Sequence, residues 1–331
     1  PGFPDMIIGA PRTLETTNLI FDTKFVAPIG DHIVTVGGQW WDAEMTDGLA
    51  TDDFEQTTWA LFAEDEWLLR DDLALTLGAR YDNHDAFGSH VSPRAYLVWS
   101  ATEYWTLKGG VSAGYRTPSL EDLHDGINGV TGQGTTLNIG NPDLKPEKSI
   151  NSEIGVRYDR PSGLMASATV FYNDFDDKIA AGPDRVVIGH PTIPDGTYGQ
   201  LVNVDKAVTR GLELATRIPL ARAWSLSATY TYTDSEQKSG ENKGDPLTNT
   251  PKHLINATLR WAATERFHAW LTGEYASERY RARQRAQGGP TRDELGDYKA
   301  YTLFHLGSSY RLTPRLTLNA TIYNLLDKDF I

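Results

Sequence analysis

The sequence contains no cysteine, which excludes disulfide-stapled folds and every thiolate metal or redox site. It also lacks any run of about 18 consecutive apolar residues, so a transmembrane helix is excluded. Basic residues are few beside acidic ones: 31 Lys and Arg stand against 44 Asp and Glu, and the net charge is -13. A nucleic-acid partner is therefore not expected, because phosphate binding requires a basic surface.

Turn formers and aromatic residues are abundant, and apolar residues alternate with polar ones along most of the chain. The sequence has 30 Gly, 17 Pro, 9 Trp, 15 Tyr and 11 Phe. Residues 224–233, 164–173 and 316–322 each alternate apolar with hydroxyl or amide side chains, which is the period of an extended strand. Similar segments begin near Leu19, Ile33, Trp59, Leu73, Val91, Trp105, Ile150, Leu212, Ile255, Phe267 and Thr302. The pattern predicts about 14 strands, many of them long enough to cross a bilayer at a tilt.

Charged residues fall almost entirely on the polar face of these strands, with Asp65 as the clear exception. The same alternation would suit a soluble β-sandwich, which buries one face of each sheet, so the faces alone do not decide. The members of the charged set are Asp22, Lys24, Glu64, Glu66, Arg80, Arg94, Lys108, Glu153, Arg157, Glu213, Arg217, Arg260 and Glu274.

Connection lengths favour a membrane barrel over a sandwich. Tight turns are predicted at residues 29–31, 70–72, 102–103, 160–163, 219–223, 263–265 and 312–314. Longer loops are predicted between them, at residues 43–54, 118–146, 177–197, 234–251 and 279–297. Only the connection at residues 82–90 breaks the rule by being short. Alternating short and long connections predict an all-β, transmembrane antiparallel β-barrel with periplasmic turns and extracellular loops.

Aromatic residues are placed as a membrane barrel requires. The tryptophans near predicted strand ends are expected in the two interface girdles, where amphipathic rings match the headgroup region. The alternative is the general preference of aromatic residues for strands. These tryptophans are Trp40, Trp41, Trp59, Trp67, Trp99, Trp105, Trp224 and Trp261.

Several motifs resemble the C-terminal barrel of TonB-dependent siderophore receptors. They are GYRTPSLEDL at residues 114–123, IGNPDLKPEKS at 139–149, FAEDEW at 62–67, NVDKA at 203–207 before RGLE at 210–213, and YNLLDKDF at 323–330. The resemblance covers essentially the whole chain. Residues 240–247 and 298–303 are most similar to the ferric enterobactin and related catecholate receptors.

The resemblance implies a 22-stranded barrel around a plug domain. Residues 1–331 are expected to be a partial barrel domain, with the plug, the N-terminal segment that contacts TonB and the closing strand outside this chain. From the residues themselves, NPD at 141–143 predicts a turn, and Arg210-Gly211 predicts a close backbone approach. A structural role as a loop anchor is the simplest interpretation of NPDLKPE.

The resemblance also implies a function. The full receptor would sit in the outer membrane of a Gram-negative bacterium, among outer-membrane lipids and lipopolysaccharide. It would bind a ferric siderophore and import it with energy from the TonB complex. Iron would arrive already wrapped by its ligand, so no cofactor and no metal-ligating protein residues are expected. Alternatives are a passive porin and a nontransporting surface receptor.

A negative, aromatic catecholate complex calls for cations and aromatic rings on the outer loops. Residues 279–285 carry a dense arginine cluster, for which contact with lipopolysaccharide phosphates or loop carboxylates is the competing interpretation. The candidate ligand-binding residues are Arg116, Arg281, Arg283, Arg285, Tyr280 and Trp41.

Metal and enzyme functions have little support in the sequence. His84 and His90, with Asp82 and Asp85, could bind a divalent ion, and a solvated polar loop is the alternative. Motifs of serine hydrolases, zinc peptidases and phosphate-binding loops are absent from the sequence. Catalysis is not expected.

Overall fold

The computed structural model describes residues 13–47, 54–131, 136–182, 185–191, 193–240, 242–281 and 292–329. Within them lie 17 strands in antiparallel pairs, apart from one short parallel bridge, and two helical turns, α1 (Leu120–Leu123) and α2 (Arg292–Leu295). Neither helix is long or apolar enough to span a membrane.

Fourteen of these 17 strands form the main antiparallel ladder of the sheet, in agreement with the predicted number. They are β1 (Leu14–Ile29), β2 (His32–Asp47), β3 (Phe54–Arg70), β4 (Leu73–His84), β5 (Gly88–Trp99), β6 (Trp105–Arg116), β9 (Glu147–Asp159), β10 (Met165–Ala181), β12 (Gly196–Ala221), β13 (Trp224–Gln237), β14 (His253–Ala262), β15 (Phe267–Ala276), β16 (Tyr301–Thr313) and β17 (Leu316–Ile322). The three short strands, β7 (Ile127–Thr131), β8 (Thr136–Ile139) and β11 (Arg185–Val187), lie in the loops.

Each long strand pairs antiparallel with the next long strand along the chain. Among the described residues, β1 and β17 have one neighbour each, so the sheet does not close on itself there. Tight turns join the strands at one end of the sheet, and all longer loops lie at the other end, as predicted.

Four of the five longer predicted loops are partly strand. Residues 43–47 belong to β2, and β7 and β8 lie within residues 118–146; the other two are the loops at residues 177–197 and 234–251. β10 continues to Ala181 and pairs with β12 as far as Leu201, and β13 continues to Gln237. The sequence prediction ended these strands too early, because the extensions, DKIAA at residues 177–181 and DSEQ at residues 234–237, do not alternate apolar with polar side chains. β12 therefore has an upper part, residues 196–206, that projects outward beyond its pairing with β13 at Ala207.

The apolar face of the sheet is exposed, as expected for a face that meets lipid. Ile154 is 66% exposed and Leu61 is 59% exposed in the isolated chain. The opposite face carries charges that pair across strands: Arg94 lies 3.2 Å from Glu64, and Lys108 lies 3.5 Å from Glu153. This arrangement confirms the barrel prediction over the sandwich, whose apolar faces would be covered by a second sheet.

Asp65, the charged residue on the apolar face, has a partner on the neighbouring strand. The His32 Nδ1 atom lies 2.8 Å from an Asp65 carboxylate oxygen, and the His32 ring stacks on Trp67 at 5.3 Å. This cluster adjoins the turn end of β2 and β3, where headgroups and water can reach it.

The aromatic girdles are present. The girdle at the turn end consists of Trp67, Trp99, Trp105, Trp224 and Trp261. Trp224 stacks on Trp261, and their ring centres are 5.5 Å apart. Trp40 and Trp59 face each other at the loop end, where Trp59 also contacts Tyr81 at 5.4 Å. The placement of Trp41 in a girdle was wrong, because alternation turns the residue after Trp40 to the inside of the sheet.

The predicted close backbone approach at Gly211 is confirmed. A Cβ atom at this position would lie 1.9 Å from the Tyr232 carbonyl oxygen and 2.7 Å from the Phe171 ring. Phe171 is directly opposite Gly211 on the neighbouring strand. The missing side chain therefore makes room for an aromatic ring on the inner face.

The two faces should differ in their tolerance of charge. Ala228→Arg places a cation in hydrocarbon on the lipid-facing side of β13, and we expect it to cost roughly 2 to 4 kcal/mol of folding free energy near the bilayer midplane. Thr229→Arg on the inner face of the same strand should be mild. Denaturant titration of folding into lipid vesicles measures both, and equal costs would contradict the assignment of faces.

Candidate ligand site

A cavity of about 500 Å³ opens on the inner face near the loop ends of β1 to β4 and β6. Its aromatic lining comes from Trp41 and Tyr115, and its cations are Arg80 and Arg116. Ser119 at the start of α1 closes one side, where its hydroxyl donates to Asp122 at 2.6 Å. The cavity thus combines rings, cations and hydrogen-bonding groups.

Arg116 and Trp41, two of the six predicted site residues, meet in this cavity. Arg116 ends β6 and is exposed, and within the described residues it makes no ion pair. The Trp41 indole N–H donates to the Asn18 side-chain oxygen at 2.9 Å, which fixes the ring in the wall. An exposed guanidinium near a fixed ring suits an anionic, aromatic ligand.

Arg80, the other cation of the cavity, is already neutralised. Its Nε donates to Asp82 at 2.8 Å, and its Nη2 donates to the Gln39 side-chain oxygen at 2.8 Å. Gln39 in turn donates to Asp22 at 2.7 Å. These hydrogen bonds link β1, β2 and β4 and stiffen the wall of the cavity.

Sequence reasoning missed three residues of the cavity, Asn18, Gln39 and Tyr115. The predicted inner face near the loop ends could have indicated the first two.

The NPDLKPE motif anchors the loop between β6 and β9, as its simplest interpretation predicted. The Asn141 side-chain oxygen accepts from the Asp143 N–H at 3.1 Å, which closes the predicted turn. Its amide group donates to the Leu201 carbonyl at 2.9 Å, on the upper part of β12. The loop is therefore tied to the hairpin of β10 and β12.

Asn203, in the NVDKA motif, is the partner of NPDLKPE. Its side-chain oxygen accepts from the Lys145 N–H at 2.8 Å, and its amide donates to the Lys145 carbonyl at 2.9 Å. A third bond at 2.7 Å reaches the carbonyl of Asp177, whose φ of 54° is unusual for a residue other than glycine. The two sequence motifs thus meet, a relation that sequence spacing did not indicate.

A small hydrophobic core joins the same two loops further out. It consists of Ile127, Ile139, Val187, Ile193 and Tyr198, all nearly fully buried. The Tyr198 hydroxyl donates to the Pro194 carbonyl at 2.8 Å. Burial, and then the negative charge of Asp195, raise the pKa of Tyr198 above its usual value, which keeps this hydroxyl a donor to more alkaline pH than an ordinary tyrosine.

The arginine cluster at residues 279–285 is described only up to Arg281. Tyr280 is 8% exposed, and its hydroxyl donates to Asp245 at 2.5 Å. The Arg281 guanidinium lies 3.7 Å from the centre of the Tyr298 ring and donates to the Gly296 carbonyl at 2.9 Å. Both residues therefore stabilise the loop itself, and a ligand contact of either stays a prediction. The predicted contacts of Arg283 and Arg285 lie outside the described residues.

The possible divalent-ion site near His84 has a structural explanation. His84 is 2% exposed, and its Nδ1 atom lies 2.9 Å from an Asp85 carboxylate oxygen. The centre of its ring is 4.9 Å from the centre of the Phe87 ring. His90 instead stacks on Tyr115 at 4.3 Å. Over the described ranges, no group of three or more His, Asp or Glu side chains is placed to hold a metal ion.

Comparison with known proteins decides the family. The family model described as "TonB dependent receptor-like, beta-barrel" matches residues 9–325. The chain belongs to this family. TonB-dependent receptors are transport receptors of the Gram-negative outer membrane and not enzymes, which confirms the resemblance and the localisation inferred from the motifs.

Individual relatives of this TonB-dependent receptor chain are similar over nearly its whole length. The iron-regulated outer membrane virulence protein of Vibrio cholerae is 40% identical over 96% of the chain and 49% of its own length. The ferric enterobactin receptor of Pseudomonas aeruginosa is 32% identical over 90% of the chain and 44% of its own length. A crystal structure of a variant of that receptor superposes with a TM-score of 0.75 at 28% identity, covering 95% of this chain and 49% of the other. The chain spans about half the length of the curated relatives it matches.

The loop anchor generates a test in this receptor. Asn203→Ala removes the two hydrogen bonds that join the two loops and a third within the β10–β12 hairpin, so we expect faster tryptic cleavage after Lys148 with an unchanged barrel. Asn173→Ala, which removes one inner-face bond to Thr209, is the matched control. Limited proteolysis followed by mass spectrometry measures the cleavage rates. Equal cleavage rates in the two variants would show that Asn203 does not hold the loops together.

Proposed function

We propose that this chain is the barrel part of an outer-membrane receptor that takes up ferric siderophores of the catecholate class with energy delivered through TonB. The observation that carries the proposal is the inner cavity, where Arg116 offers a cation without an ion pair in the described residues and Trp41 offers a fixed ring. Relatives named as ferric enterobactin receptors support the ligand class.

The chemistry of a ferric triscatecholate matches this cavity. Such a complex is an anion whose outer surface consists of aromatic rings and oxygens. A guanidinium can pair with the charge, and indole or phenol rings can stack on the catechols. Iron is the cargo and reaches the protein inside its ligand, so no protein residue needs to coordinate it.

The remaining parts of the proposal concern the whole receptor. A plug within the barrel would transmit the pull of TonB, and the outer loops would hold the ligand until release. The arginine cluster at residues 279–285 would lie near the rim and raise the local concentration of an anion. Contacts with lipids and lipopolysaccharide belong to the same proposal.

Ligand class is tested with Arg116→Gln in the receptor at its natural length. Loss of one charge-assisted contact should weaken binding of ferric enterobactin by about tenfold. A ferric hydroxamate complex, which is less negative, should lose less. Fluorescence titration of the purified receptor with both ligands measures the affinities.

Arg94→Gln is the matched control, because Arg94 is a cation of the inner face already paired with Glu64. Arg281→Gln gives a second comparison, because its guanidinium is occupied by Tyr298 and Gly296. If all three variants bind catecholate as the unmodified receptor does, Arg116 is not in the site.

Energy coupling is tested by iron uptake into cells with and without TonB. The proposed transporter should import radioactive iron from the siderophore only when TonB is present, and surface binding should be the same in both strains. A passive porin would import equally well without TonB. A nontransporting receptor would bind the complex and import nothing in either strain.

A further inference from the structure

The lipid-facing surface carries two apolar grooves that adjoin each other. The first has a volume of about 650 Å³, has Gly109 in its floor and is walled by Trp99, Ile154 and Val170. The second has a volume of about 560 Å³ and has Ala166 and Ala168 in its floor. Most side chains on this face are bulky, and the small residues among them therefore leave two channels in which apolar chains can lie.

The strand register places the grooves side by side. Leu107 of β6 lines the first groove, and its cross-strand partner Val156 of β9 lines the second. The next outward-facing pair toward the turn end is Trp105 with Tyr158, and both rings line the second groove. The grooves thus share one wall and run to the same, periplasmic end of the barrel.

A positively charged residue, Arg160, lies at the periplasmic end of the two grooves. The guanidinium carbon of Arg160, in the turn between β9 and β10, lies 5.6 Å from the Tyr104 ring centre and 5.8 Å from that of Tyr158. Its backbone N–H donates to the Leu164 carbonyl at 2.9 Å, which holds the turn in place. Arg157 nearby is paired with Asp159, whereas Arg160 makes no ion pair within the described residues.

We propose that these two grooves and Arg160 bind one phospholipid of the periplasmic leaflet, with an acyl chain in each groove and the phosphate against the guanidinium. Two adjoining apolar channels match a ligand with two chains, and the cation at their common end matches its anionic headgroup. Lipopolysaccharide also carries phosphate, but its phosphates lie at the opposite surface of the membrane.

The test uses the receptor at its natural length, purified from outer membranes and stripped of lipid in neutral detergent. Native mass spectrometry counts adducts during titration with phosphatidylglycerol that carries palmitoyl and oleoyl chains. Arg160→Gln should weaken the adduct by about fivefold. Ala168→Leu, which fills the second groove from a lipid-facing position, should weaken it while the charge is intact.

Arg315→Gln is the matched control, because it removes one exposed cation from another periplasmic turn, between β16 and β17. It should leave the adduct unchanged. Diacylglycerol, which has no phosphate, should bind weakly and respond to Ala168→Leu but not to Arg160→Gln. Equal loss in the Arg160 and Arg315 variants would show unspecific attraction and overturn the proposal. Stronger competition by lipid A than by phospholipid would overturn the choice of ligand.

Discussion

In hydrocarbon, each backbone N–H and C=O group needs a partner within the protein, because an unpaired group costs several kcal/mol. The ladder that runs from β1 to β17 satisfies this requirement for every long strand with two neighbours and thereby fixes the strand register. Among the described residues, only the outer edges of β1 and β17 lack a neighbouring strand. Side chains must then adapt to the register. Trp270 lies directly opposite Gly307, and Phe171 lies directly opposite Gly211. A Cβ atom at either glycine would collide with the ring of its partner. Glycine at these positions lets large rings lie flat on the inner face without breaking the ladder.

Alternation is a local property, so the sequence alone predicted the strands, their two faces and the end at which the turns lie. The position of Trp41 could not be predicted in the same way. Trp40 and Trp41 are adjacent aromatic residues, and a shift of one residue exchanges the two faces of a strand. The contact between Asn203 and Lys145 could not be predicted from the alternation of side chains either. It joins residues 58 positions apart and uses the backbone atoms of Lys145, which any residue would offer. The outer core around Tyr198 was missed because its segments are short and read as loops.

The outer loops between β6 and β9 and between β10 and β12 are bound into one body by these hidden contacts. Gln200 adds a buried bond to the Gly140 carbonyl at 2.7 Å, between the asparagine anchor and the hydrophobic core. Each contact is modest in water, but together they restrict both loops before any ligand arrives. A rim ordered in advance reduces the conformational entropy that binding would otherwise have to overcome. The sequence motifs that identify the family thus hold these two outer loops together at the edge of the candidate site.

Net charge and local charge have different consequences for an anionic ligand. The chain carries -13 overall, yet at physiological ionic strength a charge is screened over about 8 Å, so the distant carboxylates scarcely repel a ligand already within the cavity. Most inner-face cations are paired with carboxylates and present little positive field, as Arg80 does with Asp82. Arg116 differs, because within the described residues its charge has no such partner. Selection for an anion would therefore depend on which cations the barrel leaves unpaired, and not on how many it contains.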